Sequence, residues 1–183
     1  MGKTWREADA DVWEAIDYLT YYSAQMERMS AASSLVQVAG ERTTLRYVAR
    51  GVAVVIAPWN FPAGILTGMA SAALVAGNAV LLKHAANVPG CALAVEEHVR
   101  AAGLPDGLFQ TLLVGSDRVA GLIEHPSVKA VTVTGSTPAG QAVASKAGMM
   151  LKKTVLELAG SDPYLILEDA DLEPTVDACA ASR

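Results

Sequence analysis

Three side chains that could bind or move charge follow short apolar segments of the sequence. Asn60, Lys83 and Glu157 offer a carboxamide, an ammonium and a carboxylate, and each lies at or just after the end of a segment rich in valine, isoleucine and leucine. Such groups supply hydrogen bonds, positive charge and proton transfer in active sites. If the apolar segments are parallel strands, their carboxyl ends share one edge of a sheet, where ligands bind.

A fourth polar segment, Gly135-Ser136-Thr137-Pro138-Ala139-Gly140, lies between a predicted strand and a predicted helix. The backbone N–H groups and the dipole at the start of a helix can hold a pyrophosphate there. Serine and threonine are also ordinary helix caps, so this segment alone is only a weak indication of phosphate binding. No G-x-G-x-x-G pattern follows the first predicted strand.

Apolar runs and turn residues divide the chain into alternating strands and helices. Strands of four to eight residues between helices are typical of βαβ units. The pattern predicts strands at 51–57, 79–83, 110–114, 129–134, 153–158 and 164–167, and a looser β segment at 43–50. It predicts helices at 8–30, 62–76, 89–102, 117–124 and 138–147, and from 172 onward.

These elements predict an α/β fold, a Rossmann-like parallel sheet with helices on both faces. The run at 51–57 has no polar residue, as expected of a strand buried on both faces. The first helix is expected to pack through one apolar face. That face consists of Val12, Ile16, Leu19, Ser23 and Met26.

The composition argues against several functional classes. The net charge is −5 with no basic stripe, so we expect no nucleic-acid ligand. Residues 51–82 carry no charge, but Pro58, Pro62 and the Gly77-Asn78 pair interrupt them, which favours buried strands and a helix over a membrane span. The first residues lack a signal-peptide pattern, and no metal-ligand cluster stands out, so we expect a cytoplasmic protein without a metal site.

The two cysteines, Cys91 and Cys179, are too few for a disulfide framework. Both fall within predicted helices, and Cys91 lies on an apolar one. A small core residue is therefore the preferred interpretation of Cys91.

Taken together, the motifs resemble the aldehyde dehydrogenase superfamily, and the resemblance runs from about Gly2 to the end of the chain. The residues that carry it are Pro58-Trp59-Asn60-Phe61-Pro62, Gly77-Asn78, Leu82-Lys83, Ala101-Ala102-Gly103-Leu104-Pro105, Thr134-Gly135-Ser136-Thr137 and Leu156-Glu157-Leu158. Residues 2–26 are more similar to the proline-catabolic branch, which oxidises glutamate semialdehyde. Residues 81–92 and 156–163 are more similar to succinate-semialdehyde dehydrogenases.

The resemblance implies a mechanism in which a cysteine thiolate attacks the aldehyde and hydride passes to NAD or NADP. Asn60 would stabilise the oxyanion, and Glu157 would be the general base that hydrolyses the thioester. Lys83 would bind the adenosine ribose, and Ser136 the pyrophosphate. The remaining predicted cofactor contacts are Ile56, Ala57, Trp59, Gly115 and Gly135.

Two positions depart from the family pattern. Ala86 stands where NAD-preferring relatives often carry a glutamate that would repel a 2′-phosphate, so the main argument against NADP is absent. Ala159 replaces a glycine that usually follows the Glu-Leu pair and could crowd the nicotinamide end.

The resemblance also implies that the nucleophilic cysteine follows the general base at a distance that takes it past Arg183. We therefore expect residues 1–158 to form the NAD(P)-binding domain, residues 159–183 to begin a catalytic domain, and the chain to be truncated at both ends and inactive alone. We expect the full-length protein to be a homo-oligomer that oxidises a small aldehyde. The alternatives are a non-catalytic nucleotide-binding or scaffold module, and a fragment that needs a complementing chain.

Overall fold

A computed structural model describes residues 1–31 and 35–181 of the chain. Five strands alternate with helices, as the sequence pattern predicts. The strands are β1 (Val52–Ala57), β2 (Ala79–His84), β3 (Phe109–Thr111), β4 (Val128–Thr134) and β5 (Lys153–Glu157). The helices are α1 (Trp5–Ser30), α2 (Gly64–Val75), α3 (Pro89–Ala101), α4 (Val119–Glu124), α5 (Thr137–Met149) and α6 (Leu172–Ala181), and a 3₁₀ turn (Ser116–Arg118) precedes α4.

All five strands are parallel and form one sheet in the order β3-β2-β1-β4-β5. The chain adds β2 and β3 on one side of β1, then crosses back to add β4 and β5 on the other. Right-handed crossovers in the two directions place helices on opposite faces of the sheet. The predicted Rossmann-like α/β fold is confirmed.

Alternate residues of the central strands enter two separate cores. Val55 and Ala57 of β1 pack with Leu66 of α2 on one face, here called the α2 face. Val54 of β1 packs with Val143 of α5 on the other, here called the α5 face. Because β1 is buried on both sides, its run of apolar residues needs no polar alternation.

Asn78 ties the start of β1 to the turn before β2. Its Oδ1 accepts from the backbone N–H groups of Arg50 and Gly51, at 2.8 and 3.2 Å, and its Nδ2 donates to the carbonyl of Ala73 at 3.2 Å. Gly77 before it has a φ of +82°, a conformation that favours glycine. The Gly-Asn pair therefore both ends α2 and aligns β1 with β2.

At the margins of the sheet, several predicted elements differ from those that the structure shows. The β3 strand, at one edge of the sheet, is only three residues long and ends before the predicted residue 114. No regular strand forms at 43–50 or at 164–167, and both predictions were wrong. Leu165 and Leu167 are 85% and 72% exposed, so this apolar run has no neighbouring strand to pair with.

The predicted packing face of α1 was also wrong. Val12, Ile16 and Leu19 are each 44% exposed or more, whereas Asp11 is buried. The helix packs against α2 through a polar face made by Asp11, Glu14, Tyr18 and Tyr22. It also begins at Trp5 rather than residue 8, because Thr4 and Glu7 form a reciprocal capping box.

The packing of α1 on α2 requires glycines. A Cβ at Gly68 would lie 2.9 Å from the ring of Tyr18, and one at Gly64 would lie 3.0 Å from Oδ1 of Asp11. Within residues 1–31 and 35–181, no helix has the length and apolar character needed to cross a bilayer.

Candidate functional site

The loop between β1 and α2, residues 58–63, carries Trp59 and Asn60 at the carboxyl edge of the sheet. Both residues are exposed. No other described residue hydrogen-bonds to the side-chain amide of Asn60, so its N–H donors are available for a ligand. The position of this amide therefore depends on how the backbone of the β1–α2 loop is held.

Asp11 holds the end of this loop from α1. Its two carboxylate oxygens accept one backbone N–H each, from Gly64 at 2.9 Å and from Ala63 at 3.2 Å. Residue 63 has no capping side chain of its own, so Asp11 caps α2 from a distant part of the sequence. Lys3 adds positive charge, with its Nζ 3.9 Å from the Asp11 carboxylate and 4.1 Å from the centre of the Phe61 ring.

His84 holds the same loop from β2. It is 5% exposed, and its ring lies between two backbone carbonyls. Nδ1 is 3.3 Å from the oxygen of Ala57, and Nε2 is 3.0 Å from the oxygen of Pro62. These two carbonyls lie at the beginning and near the end of the loop that carries Asn60.

Glu157 is fixed at the adjacent part of the edge by its neighbour in the sheet. Thr134 of β4 pairs with Glu157 of β5, and its hydroxyl donates to the carboxylate at 2.9 Å. The backbone N–H of Gly135 donates to the backbone carbonyl of Glu157 at 3.0 Å. The carboxylate remains exposed, so it can accept a proton from water while one hydroxyl orients it.

The predicted cofactor residues lie along the same edge but toward the other face. Ile56 pairs directly with Lys83 and packs with the core on the α5 face. Ser136 is the N-cap of α5, and its hydroxyl oxygen accepts from the N–H of Ala139 at 3.4 Å, which leaves its own hydrogen to donate. A side chain would meet no atom within 4 Å at Gly135, which is open to a ligand.

Two predicted cofactor residues have less direct roles in this geometry. The side chain of Ala57 is 4% exposed in the core on the α2 face, so only its backbone can face a ligand. Gly115 precedes the 3₁₀ turn, four residues after β3 ends, and a Cβ there would meet only the side chain of Asp117. The described residues contain no group of three or more histidine, cysteine or acidic side chains placed to hold a metal ion.

Comparison with known proteins identifies the family. The aldehyde dehydrogenase family model matches residues 1–183. The chain belongs to the aldehyde dehydrogenase family. It is 42% identical over its whole length to a protein of Mycobacterium bovis named succinate-semialdehyde dehydrogenase [NADP(+)] 1, and it spans 40% of that relative's length.

Solved aldehyde dehydrogenases share the fold. The succinic semialdehyde dehydrogenase of Streptococcus pyogenes, in complex with NADP⁺, superposes with a TM-score of 0.86 and 34% identity, over 93% of this chain and 37% of that one. Proline Utilization A of Bradyrhizobium japonicum gives a TM-score of 0.83 and 31% identity, over 87% of this chain and 17% of that one.

In this member of the aldehyde dehydrogenase family, a groove of about 680 Å³ runs along the α2 face over β4 and β5. Phe61, Thr134 and Glu157 line its carboxyl end, and Tyr18 of α1 forms part of its wall. Burial raises the pKa of Tyr18, with Glu14, Tyr22 and Glu157 adding to the effect, so its hydroxyl stays protonated and can donate into the groove. No local sequence pattern predicts this groove.

Neither cysteine has the environment of a nucleophile. Burial is the main cause that raises the pKa of the Cys91 thiol, and the nearby Asp11 carboxylate adds to it. A catalytic thiol requires the opposite shift. Cys179 lies on α6, and its interaction with Tyr164 raises the pKa of that phenol, so this thiol is engaged within the segment that follows the sheet.

Sequence reasoning missed Asp11, His84 and Thr134. Asp11 and His84 both appear in the sequence as polar residues within otherwise helical or apolar segments, which is the one available signal. Their partners lie 52 and 53 residues away for Asp11, and 22 and 27 for His84, so no local pattern reveals them.

Replacing Asp11 with asparagine should destabilise the chain by about 1–3 kcal/mol, because a buried N–H group would face an amide donor instead of a carboxylate oxygen. Urea unfolding followed by circular dichroism measures the change. Asp17→Asn, on an exposed face of the same helix, is the matched control. Equal stabilities for the two variants would contradict the capping role.

The raised pKa of Cys91 predicts slow alkylation at neutral pH. Because the thiolate is the reactive form, the rate should rise only at a higher pH than for free cysteine. Iodoacetamide labelling of a Cys179→Ser variant across pH isolates the Cys91 thiol. A midpoint at or below that of free cysteine, measured in parallel, would show an activated thiol and refute the assignment.

Proposed function

We propose that this chain is the cofactor-binding portion of an NADP-dependent aldehyde dehydrogenase that oxidises a semialdehyde to a carboxylic acid. The observation that carries the proposal is the placement of Asn60, Lys83, Ser136 and Glu157 along one edge of the parallel sheet in a member of this family. Two relatives name NADP⁺ and succinate semialdehyde. A short semialdehyde is therefore the preferred substrate class.

The residues at this edge fit a dinucleotide. Lys83 supplies an ammonium beside Ile56, and the start of α5 supplies N–H groups and the Ser136 hydroxyl for a pyrophosphate. Gly135 leaves room for close approach, and Gly115 lies where the adenine side would pass. The backbone of residues 56 and 57, together with Trp59, would border the bound dinucleotide. NAD remains possible with the same residues, but Ala86 presents no carboxylate to a 2′-phosphate.

The bound cofactor would supply the hydride acceptor for the aldehyde carbon. The Asn60 amide, which has no other described partner, donates to the oxyanion that forms when a thiolate adds to that carbon. Glu157 then takes a proton from water, which attacks the resulting thioester and releases the acid and the thiol. The Thr134 hydroxyl orients the carboxylate for this step.

We place the attacking thiol outside these 183 residues, because the Cys91 thiol is shifted away from reactivity and Cys179 lies on α6 beyond the sheet. The chain alone would then bind cofactor without turning over aldehyde. Residues 1–158 form the cofactor-binding unit in this proposal, and residues 159–183 begin the catalytic one. All residues from 159 to 174 are exposed, as expected of a segment that packs elsewhere, while residues 182 and 183 lie outside the described part. The full-length protein would be a cytoplasmic homo-oligomer.

Cofactor titration tests the proposal. In a Trp5→Phe, Trp13→Phe background, Trp59 is the only tryptophan, and NADP⁺ should change its emission with saturation. Lys83→Met should weaken binding about 10- to 100-fold, because a charge-assisted hydrogen bond is lost. Lys129→Met, at the opposite end of the sheet, is the control and should bind normally. A flat titration of the parent chain with both cofactors would reject the proposal.

Ala86→Glu should reverse the cofactor preference. A carboxylate about 4 Å from a 2′-phosphate costs on the order of 1–4 kcal/mol, so NADP⁺ affinity should fall at least about fivefold while NAD⁺ affinity holds or rises. Parallel titrations with the two cofactors measure the ratio. Ala86→Gln, which has the same size without the charge, separates repulsion from crowding. An equal loss in both variants would place residue 86 away from the 2′ position.

A further inference from the structure

His84 is a buried polar side chain that the proposed chemistry does not use. It ends β2 directly after Lys83, and it is 5% exposed. The residues that precede it on the same face, Val80 and Leu82, are apolar and fully buried in the core. A polar ring at this position costs free energy unless its nitrogen atoms are hydrogen-bonded, so its partners explain why it is tolerated.

Those partners are the two ends of the loop that carries Asn60. Ala57 is the last residue of β1, and Pro62 is separated from it by four residues. The ring of His84 therefore contacts one backbone carbonyl at the beginning of the loop and one near its end. Because no described residue holds the Asn60 amide, the backbone anchors are the contacts that fix the position from which this side chain extends.

The chemistry of imidazole indicates that only one of the two contacts is an N–H hydrogen bond. A neutral ring has one N–H and one lone pair, so it can donate to only one of two facing carbonyls. The contact of Nε2 with Pro62 is the shorter, at 3.0 Å against 3.3 Å for Nδ1 with Ala57. No other described donor reaches the Pro62 carbonyl. Without His84, that carbonyl would lose the one donor that the described part of the chain offers it.

We propose that His84 is a positioning residue that fixes the β1–α2 loop through an Nε2–H bond to the Pro62 carbonyl, and thereby positions the backbone that carries the Asn60 amide. The role of the loop in catalysis rests on the proposed function, but the anchoring itself does not. Since His84 follows Lys83 in the chain, the same strand end holds the proposed ribose contact and the backbone of the oxyanion donor.

Two variants of equal length separate the hydrogen bond from packing. In His84→Gln, the side-chain amide places an N–H donor near the position of Nε2, whereas His84→Met fills similar space without a donor. His84→Asn places its donor near the position of Nδ1. His98→Gln, on an exposed part of α3, is the control for replacing a histidine.

Amide hydrogen exchange of the full 183-residue chain provides the measurement. The N–H groups of Ala63 and Gly64 are bonded to Asp11 and report opening of the loop. We expect protection to fall about tenfold in His84→Met and His84→Asn, because a buried acceptor loses its donor, and to be retained in His84→Gln and His98→Gln. Protection of Val54 in β1 should be unchanged in all four. Equal loss in the Gln and Met variants would overturn the proposal.

The ring itself gives a second test that needs no variant. A two-bond ¹H–¹⁵N spectrum of the imidazoles distinguishes the tautomers, and the neutral ring of His84 should carry its hydrogen on Nε2. Protonation at Nδ1 would overturn the proposal even if the variants fail to fold. Cofactor titration of the parent chain is independent of both tests, so a failure of the proposed function is distinguishable from a failure of the His84 anchor.

Discussion

The parallel pairing of β1 with β2 on one side and β4 on the other is the constraint on which the rest of the structure depends. Parallel strands end at the same edge, so a polar residue after any strand is brought to a common site regardless of its distance in sequence. This pairing places Lys83 beside Ile56 and Glu157 beside Thr134. It also commits the strand interiors to apolar residues, because both faces are covered near the centre.

Successive side chains along a strand point to opposite faces of the sheet, and this alternation divides the edge into two parts. Side chains of Ile56 and Lys83 belong to the α5 face, where the start of α5 presents Ser136. His84, Thr134 and Glu157 belong to the α2 face, together with the groove. Neighbouring residues on one strand, such as Lys83 and His84, therefore lie on different faces of the sheet. The proposed cofactor contacts and the proposed general base therefore lie on opposite faces of the same edge.

Much of this arrangement could be predicted from the sequence, because the central strands depend on local composition. The runs that form β1, β2 and β4 are largely apolar, and each observed strand lies within a residue of its prediction. The 164–167 run is also apolar, but no strand of the described residues pairs with it, and it stays irregular and exposed. Composition makes a strand possible, whereas pairing decides whether it forms.

The packing of α1 shows where that reasoning fails and why. Its apolar residues predicted the buried face, yet the helix buries Asp11 and leaves Val12 and Ile16 exposed. The stronger interaction is the pair of hydrogen bonds that the Asp11 carboxylate accepts from the backbone N–H groups of Ala63 and Gly64, where the loop that carries Asn60 ends. His84 is a second buried polar residue, and its ring contacts a backbone carbonyl of the same loop. Polar residues are buried here, against the usual preference for apolar ones, where a loop between two rigid elements is held. Such exceptions are expected at functional sites, and these two lie at the candidate site.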